Sequence, residues 1–111
     1  APAIYYGDEL GMTGENDPGC RGGMAWDTPD KALHAWQKEL IALRKKHQCL
    51  RTCAYRMLAA KDNLFAFQRA DQKDCVITVF NTGDKPQQLD LTDAEEPVHI
   101  PPHSVKIIKR P

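Results

Sequence analysis

Two kinds of hydrophobic spacing divide the chain. Leu33, Trp36, Leu40 and Leu43 recur at steps of 3, 4 and 3, with Ile41 widening the stripe, which predicts an amphipathic helix. Thr28 is placed to cap it, Pro29 suits the first helical position, and Asp30 suits the positive end of the dipole. Arg44, Lys45, Lys46 and His47 put positive charge at the opposite end. Burying four such side chains contributes on the order of 6–12 kcal/mol as an upper bound, so the stripe is expected to cover something. Helix propensity alone would not hold about 20 residues in water.

Beyond Cys53 the spacing turns to two. Tyr55, Met57 and Ala59 share one predicted strand face; Phe65 and Phe67 share another, opposite Leu64 and Ala66; Val76, Thr78 and Phe80 alternate with Cys75, Ile77 and Val79. Polar, turn-prone residues separate the runs at 61–63, 71–74 and 81–84. Shorter strands are expected around 88–91, 98–100 and 105–109, with Pro97, Pro101 and Pro102 confining their neighbours to edges or crossings. Strands this closely spaced point to antiparallel sheets packed as a small sandwich. Tyr55, Phe65, Phe67 and Phe80 fit core positions of those strands. The fold class is therefore mainly β with one long α-helix.

The first 27 residues follow neither period. The apolar run 3–6 suits a short strand buried on both faces, as in a parallel sheet. Six of the seven glycines fall within the first 23 residues, so 7–26 reads as a loop of unusual length, which in a compact domain points to function or disorder.

With 111 residues there is room for one compact domain. Fifteen basic residues balance fifteen acidic ones, which removes the long-range field that draws proteins to nucleic acids or acidic membranes. No apolar run approaches the roughly 18 residues of a membrane span, and the opening residues do not resemble a secretory signal. Cys20, Cys49, Cys53 and Cys75 form no paired framework and are expected as reduced thiols of a cytoplasmic protein. Seven basic residues against one acid lie between positions 44 and 69, a solvated face or one packed against an acidic neighbour.

The segment PAIYYGDELGM and the loop NDPGCRGGMAWD resemble the α-amylase superfamily of glycoside hydrolases, in its neopullulanase, cyclomaltodextrinase and maltodextrin glucosidase branch. The family's G-x-P-x-I-Y-Y-G-x-E segment is matched by Pro2, Ile4, Tyr5, Tyr6, Gly7 and Glu9, and its D-P-x-x-R element by Asp17, Pro18 and Arg21. Trp26 and Asp27 match a W-D pair, and residues 40–45 match the L-I-x-L-R-K ending of its last barrel helix. The AFQR and VITVFN segments resemble strands of its C-terminal sandwich. The resemblance implies that residues 1–50 are the last strand, substrate loop and helix of a (β/α)8 barrel, and 51–111 a C-terminal antiparallel β-sandwich. A full barrel needs roughly 250 residues, so strand 3–6 would lack partners, and residues 1–27 are expected to be irregular or re-paired.

Family members cleave α-glucosidic bonds with retention, using a carboxylate nucleophile and a carboxylic general acid, assisted by a third carboxylate. Those acids belong to earlier barrel strands, so no catalytic residue is expected here, and the chain alone should be inactive. Asp17 and Arg21 are the candidate substrate-binding residues. A carboxylate accepts bonds from neighbouring sugar hydroxyls while a guanidinium offers a rigid fork of donors, so the two can grip one glucose ring of an α-glucan. Pairing with each other to order the loop is the alternative. Gly22 and Gly23 stand where the branch often has basic or bulky residues. Asp8 and Glu9 are expected in hydrogen-bonding roles, and Tyr5, Tyr6 and Trp36 in packing; for Trp26, packing and ligand contact are both open.

Other chemistries are weaker. Cys49-x3-Cys53 and His99-x3-His103 lie too far apart for a zinc module, so no metal or cofactor is expected. A non-catalytic carbohydrate-binding or interaction sandwich is the rival function. Exposed apolar surface on the helix is expected to promote self-association.

Overall fold

A computed structural model describes residues 2–27, 29–52, 54–92 and 94–110. The chain forms two compact units, one ending at Lys46 and the other starting at His47.

In the first unit residues 2–27 contain no strand. A parallel-sheet strand needs a neighbouring backbone to pair with, and 3–6 has none here, so the expected strand gives way to irregular chain. The long loop is not wholly structureless: it holds two short 3-10 turns, Asp8–Leu10 and Gly19–Arg21. Helix α1 spans Lys31–Lys46. Asp30 Oδ1 accepts from the Leu33 amide at 2.9 Å and Asp30 O from the His34 amide, so Asp30 is the N-cap and Pro29 precedes the helix. Thr28 lies outside the described residues. Leu10 is buried and its carbonyl accepts from the Asp30 amide at 3.1 Å, joining the first 3-10 turn to the start of α1. No residue of α1 is fully buried; Trp36, expected in packing, is 39 % exposed, because this unit has too few elements to cover the whole stripe.

The second unit begins with the single turn α2 (Cys49–Thr52), which packs on strands β2 and β3. Among the described residues its strands are β1 (Tyr55–Lys61), β2 (Leu64–Ala70), β3 (Cys75–Asn81), β4 (Gln87–Leu89), β5 (Val98–Ile100) and β6 (Ser104–Arg110). β1-β2-β3-β6 form one antiparallel sheet, and β4-β5 a two-stranded antiparallel ribbon. The β1–β2 hairpin turns on Asp62 and Asn63, both at positive φ, as a two-residue turn between right-twisted strands requires. Asp71 Oδ1 accepts from the amides of Lys73 and Asp74 and closes the β2–β3 turn. Asp74 also reaches His47 Nδ1 at 2.8 Å, fixing that turn to the residues before α2.

Leu64, Ala66, Ile77 and Val79 of the sheet meet Leu89 and Ile100 of the ribbon in a two-layer core. A bulge between Met57 and Ala59 turns both Leu58 and Ala59 toward this core. Ala59 thus leaves the face of Tyr55 and Met57 that simple alternation assigned it. Phe65, Phe67 and Phe80, expected in the core, lie instead on the outer face of the sheet, with Tyr55. Their rings form a ladder, Tyr55–Phe67–Phe65–Phe80, at centroid steps of 5.2, 5.8 and 6.0 Å. Alternation separates two faces but cannot say which becomes the interior when both are apolar.

Asn81, 1 % exposed, ends β3 beneath the ribbon. Its Nδ2 donates to the carbonyls of Lys85, Ile100 and Pro101 at 2.8, 3.2 and 3.0 Å, and its Oδ1 accepts from the Gly83 amide at 3.0 Å. One side chain thereby joins sheet, turn and ribbon.

Candidate functional site

The candidate loop is built on residues 5–12. Gly7 and Gly11 flank the first 3-10 turn at φ 96° and 72°, where L side chains are strained; a Cβ on Gly7 would also come within 2.7 Å of Met12 Sδ. The Asp8 carboxylate accepts from the Tyr5 amide at 3.1 Å, and the Glu9 carboxylate from the Gly7 amide at 2.9 Å. Both acids hold backbone, within the hydrogen-bonding roles expected of them.

From this base two bonds secure the loop. The Tyr6 phenol donates to the Gly22 carbonyl at 3.0 Å, and the Ala25 amide donates to Met12 Sδ at 3.4 Å. Within the loop the Arg21 amide donates to Pro18 O at 2.9 Å and the Cys20 amide to Asn16 O at 3.3 Å, shaping the second 3-10 turn. Gly14 passes so close to this turn that a Cβ would lie 2.7 Å from Cys20 Cα. Asp17 precedes a cis bond to Pro18.

Asp17 and Arg21 are brought together. Arg21 Nε lies 3.3 Å from Asp17 Oδ1, and the two side chains are 71 % and 59 % exposed. Four residues apart across one turn, they present a carboxylate and a guanidinium side by side to solvent. A cavity of about 180 Å³ lies between Tyr5, Tyr6 and Asp8 and the glycines 14, 19 and 22, and neither Asp17 nor Arg21 lines it. Tyr5 and Tyr6, expected to fill a core, are both exposed, with ring centroids 4.8 Å apart. Desolvation first, and then the Tyr6 phenol, push the Tyr5 phenol above its ordinary value. Trp26 is 73 % exposed.

Sequence reasoning missed the phenol tether from Tyr6. Its signal is the Gly22-Gly23 pair, which has no side chain with which to fix itself. The histidines and cysteines do not assemble a metal site among the described residues. His99 pairs with Gln88 across the ribbon, His103 with Asp84, and Cys49 is buried in α2, while Cys53 lies outside the described residues. Cys20 and Cys75 are not in disulfides. Among the described residues no helix is long and apolar enough to cross a membrane.

Comparison with known proteins converges on one group. No family model matches the sequence. A cyclomaltodextrinase of a Bacillus species is 44 % identical over 84 residues, covering 72 % of this chain and 15 % of the relative. The intracellular maltogenic amylase of Bacillus subtilis is 36 % identical over 98 residues, covering 84 % of this chain and 17 % of that protein. In structure, the cyclic α-maltosyl-(1→6)-maltose hydrolase of Arthrobacter globiformis superposes with a TM-score of 0.87 at 26 % identity, over 99 % of this chain and 26 % of its own. The chain thus spans about one sixth of the curated relatives it matches. Loop motif, sheet architecture and relatives agree, and the chain belongs to the α-amylase family of glycoside hydrolases.

Proposed function

We propose that this chain is the C-terminal part of a cytoplasmic enzyme that cleaves α-glucosidic bonds in maltodextrins, cyclodextrins or pullulan with retention. Residues 1–50 supply the last strand, substrate loop and helix of the barrel, and 51–111 the closing β-sandwich. The observation that carries this reading is a structural likeness to an α-glucan hydrolase over 99 % of the chain, beside the D-P-x-x-R element at Asp17, Pro18 and Arg21. The catalytic acids lie in barrel strands outside this sequence, and the loop contributes grip rather than bond cleavage. Asp17 accepts bonds from two neighbouring hydroxyls of one glucose ring and Arg21 donates to another. Their present mutual contact keeps both side chains pre-oriented at little cost, since an exposed pair exchanges readily for substrate hydroxyls.

The test has two parts. Incubation with maltotetraose and β-cyclodextrin should release no product, and turnover by the chain alone would overturn the placement of the catalytic acids. Nuclear magnetic resonance titration with maltotriose should shift Arg21 Nε–H and the amides of Gly19 and Gly22. In Asp17→Ala and Arg21→Ala those shifts should vanish.

The outer aromatic ladder favours a second reading, a non-catalytic carbohydrate-binding module, because sugar-binding sandwiches present exposed rings as a platform. The same titration separates the two: shifts centred on Phe65 and Phe80, lost in Phe65→Ala and retained in Asp17→Ala, would support the module. The exposed Tyr55, Met57, Phe65 and Val105 on that face also support self-association of the chain, which light scattering across a concentration series would reveal as a rising mass.

A further inference from the structure

We propose that Tyr6 is a positioning residue for glucan binding, holding the loop that presents Asp17 and Arg21. The inference rests on the sugar-binding reading of that loop. Tyr6 sits on backbone clamped at both sides: Asp8 holds the Tyr5 amide and Glu9 holds the Gly7 amide. From this fixed point its phenol crosses sixteen residues to the Gly22 carbonyl, immediately after Arg21. Gly22 leaves the 3-10 turn in extended conformation, at φ −63° and ψ 164°, and carries no side chain. A Cβ on Gly22 would meet only Gly19 O, at 3.8 Å, and one on Gly23 would meet nothing within 4 Å. This exit from the turn is thus open on its side-chain flank, and the phenol bond holds it at Gly22, three residues before the Ala25 amide, which donates to Met12 Sδ. The held carbonyl lies in the peptide between Gly22 and Gly23, one residue beyond Arg21, so fixing it limits how far the backbone at Arg21, and with it the guanidinium and its partner Asp17, can swing. A pre-ordered grip loses less freedom when sugar arrives. The paired acids following the tyrosines then have a purpose: they keep the base of the tether from moving.

Tyr6→Phe in the 111-residue chain removes the phenol oxygen and keeps the ring. Two readouts separate this inference from the reading beneath it. Without sugar, amide order parameters for residues 19–23 should fall in Tyr6→Phe, Arg21 Nε–H should move toward its position in Asp17→Ala, and α1 and the sheet should be unchanged. Unaltered loop order would overturn the inference whatever the sugar does. With maltotriose, Tyr6→Phe should bind about three- to tenfold more weakly, the span of one ordinary hydrogen bond, at an unchanged unfolding midpoint. A lowered midpoint with unchanged affinity would assign Tyr6 a purely structural role and overturn the proposal. If the unmodified chain shows no titration at all, the sugar-grip reading falls and the role given to Tyr6 falls with it. If Asp17→Ala abolishes the titration while Tyr6→Phe leaves it intact, the grip stands and this inference alone fails.

Discussion

Replacing Asn81 with alanine should be among the most damaging single changes in the second unit. The side chain is 1 % exposed, and its two amide hydrogens serve three carbonyls while its oxygen holds the Gly83 amide. Alanine removes about three effective hydrogen bonds and leaves Ile100 O and the Gly83 amide in a buried setting. At about 1 kcal/mol per bond lost, plus about 1–3 kcal/mol for an orphaned buried group, the expected loss is about 4–6 kcal/mol. With a slope of about 2 kcal/mol per molar urea, the unfolding midpoint should fall by about 2–3 M. Trp26 and Trp36 both precede Lys46, so fluorescence reports the first unit; far-ultraviolet circular dichroism and amide signals of β3–β5 are the proper probes. Asn81→Leu supplies the control, because it refills the space without restoring any bond. It should be as unstable as alanine to within about 1 kcal/mol. A leucine variant that recovers nearly full stability would show that volume, not hydrogen bonding, holds the ribbon to the sheet.

Three further outcomes follow from the same geometry. Asp30→Ala should lower α1 stability by about 1 kcal/mol, seen as faster amide exchange at Leu33 and His34, because the cap bond to Leu33 is lost. Asp74→Ala should cost about 1–3 kcal/mol by urea unfolding, since it strips the mostly buried His47 ring of its 2.8 Å partner. Asp17→Ala should change stability by less than about 1 kcal/mol, as an exposed ion pair implies, while abolishing the maltotriose shifts; a large stability loss would favour the loop-ordering role over sugar binding.

Local patterns foretold much of the second unit. Alternation and turn chemistry placed β1, β2, β3 and β6 to within about a residue, because each strand is bounded by residues with a definite turn preference, such as Asp62 and Asn63. What stayed hidden depended on long-range packing. The bulge that turns Leu58 and Ala59 inward leaves no mark in the hydrophobic pattern, and the aromatic face could be told from the core only once the ribbon had settled on the other side. Asn81 looked like one more turn residue, since its three carbonyl partners come from residues up to twenty positions away. At the candidate site, the sequence put Asp17 and Arg21 in one loop as a sugar grip with mutual pairing as the alternative, and gave Asp8 and Glu9 hydrogen-bonding roles. That the acids hold the Tyr5 and Gly7 amides depends on how the 3-10 turn folds, which no local pattern states. The expected strand at 3–6 did not form, because its apolar pattern describes a sheet environment that this unit does not contain.

The borders of the four-stranded sheet carry their own consequence. β1 and β6 are its outermost strands; the first is interrupted by the bulge and bears Arg56 and Lys61, the second bears Lys106, Lys109 and Arg110. Two such margins brought together would oppose cation to cation along a kinked seam, so growth of the sheet by strand addition is discouraged. The molecule is thereby guarded against fibril-like stacking even while one of its broad surfaces stays greasy.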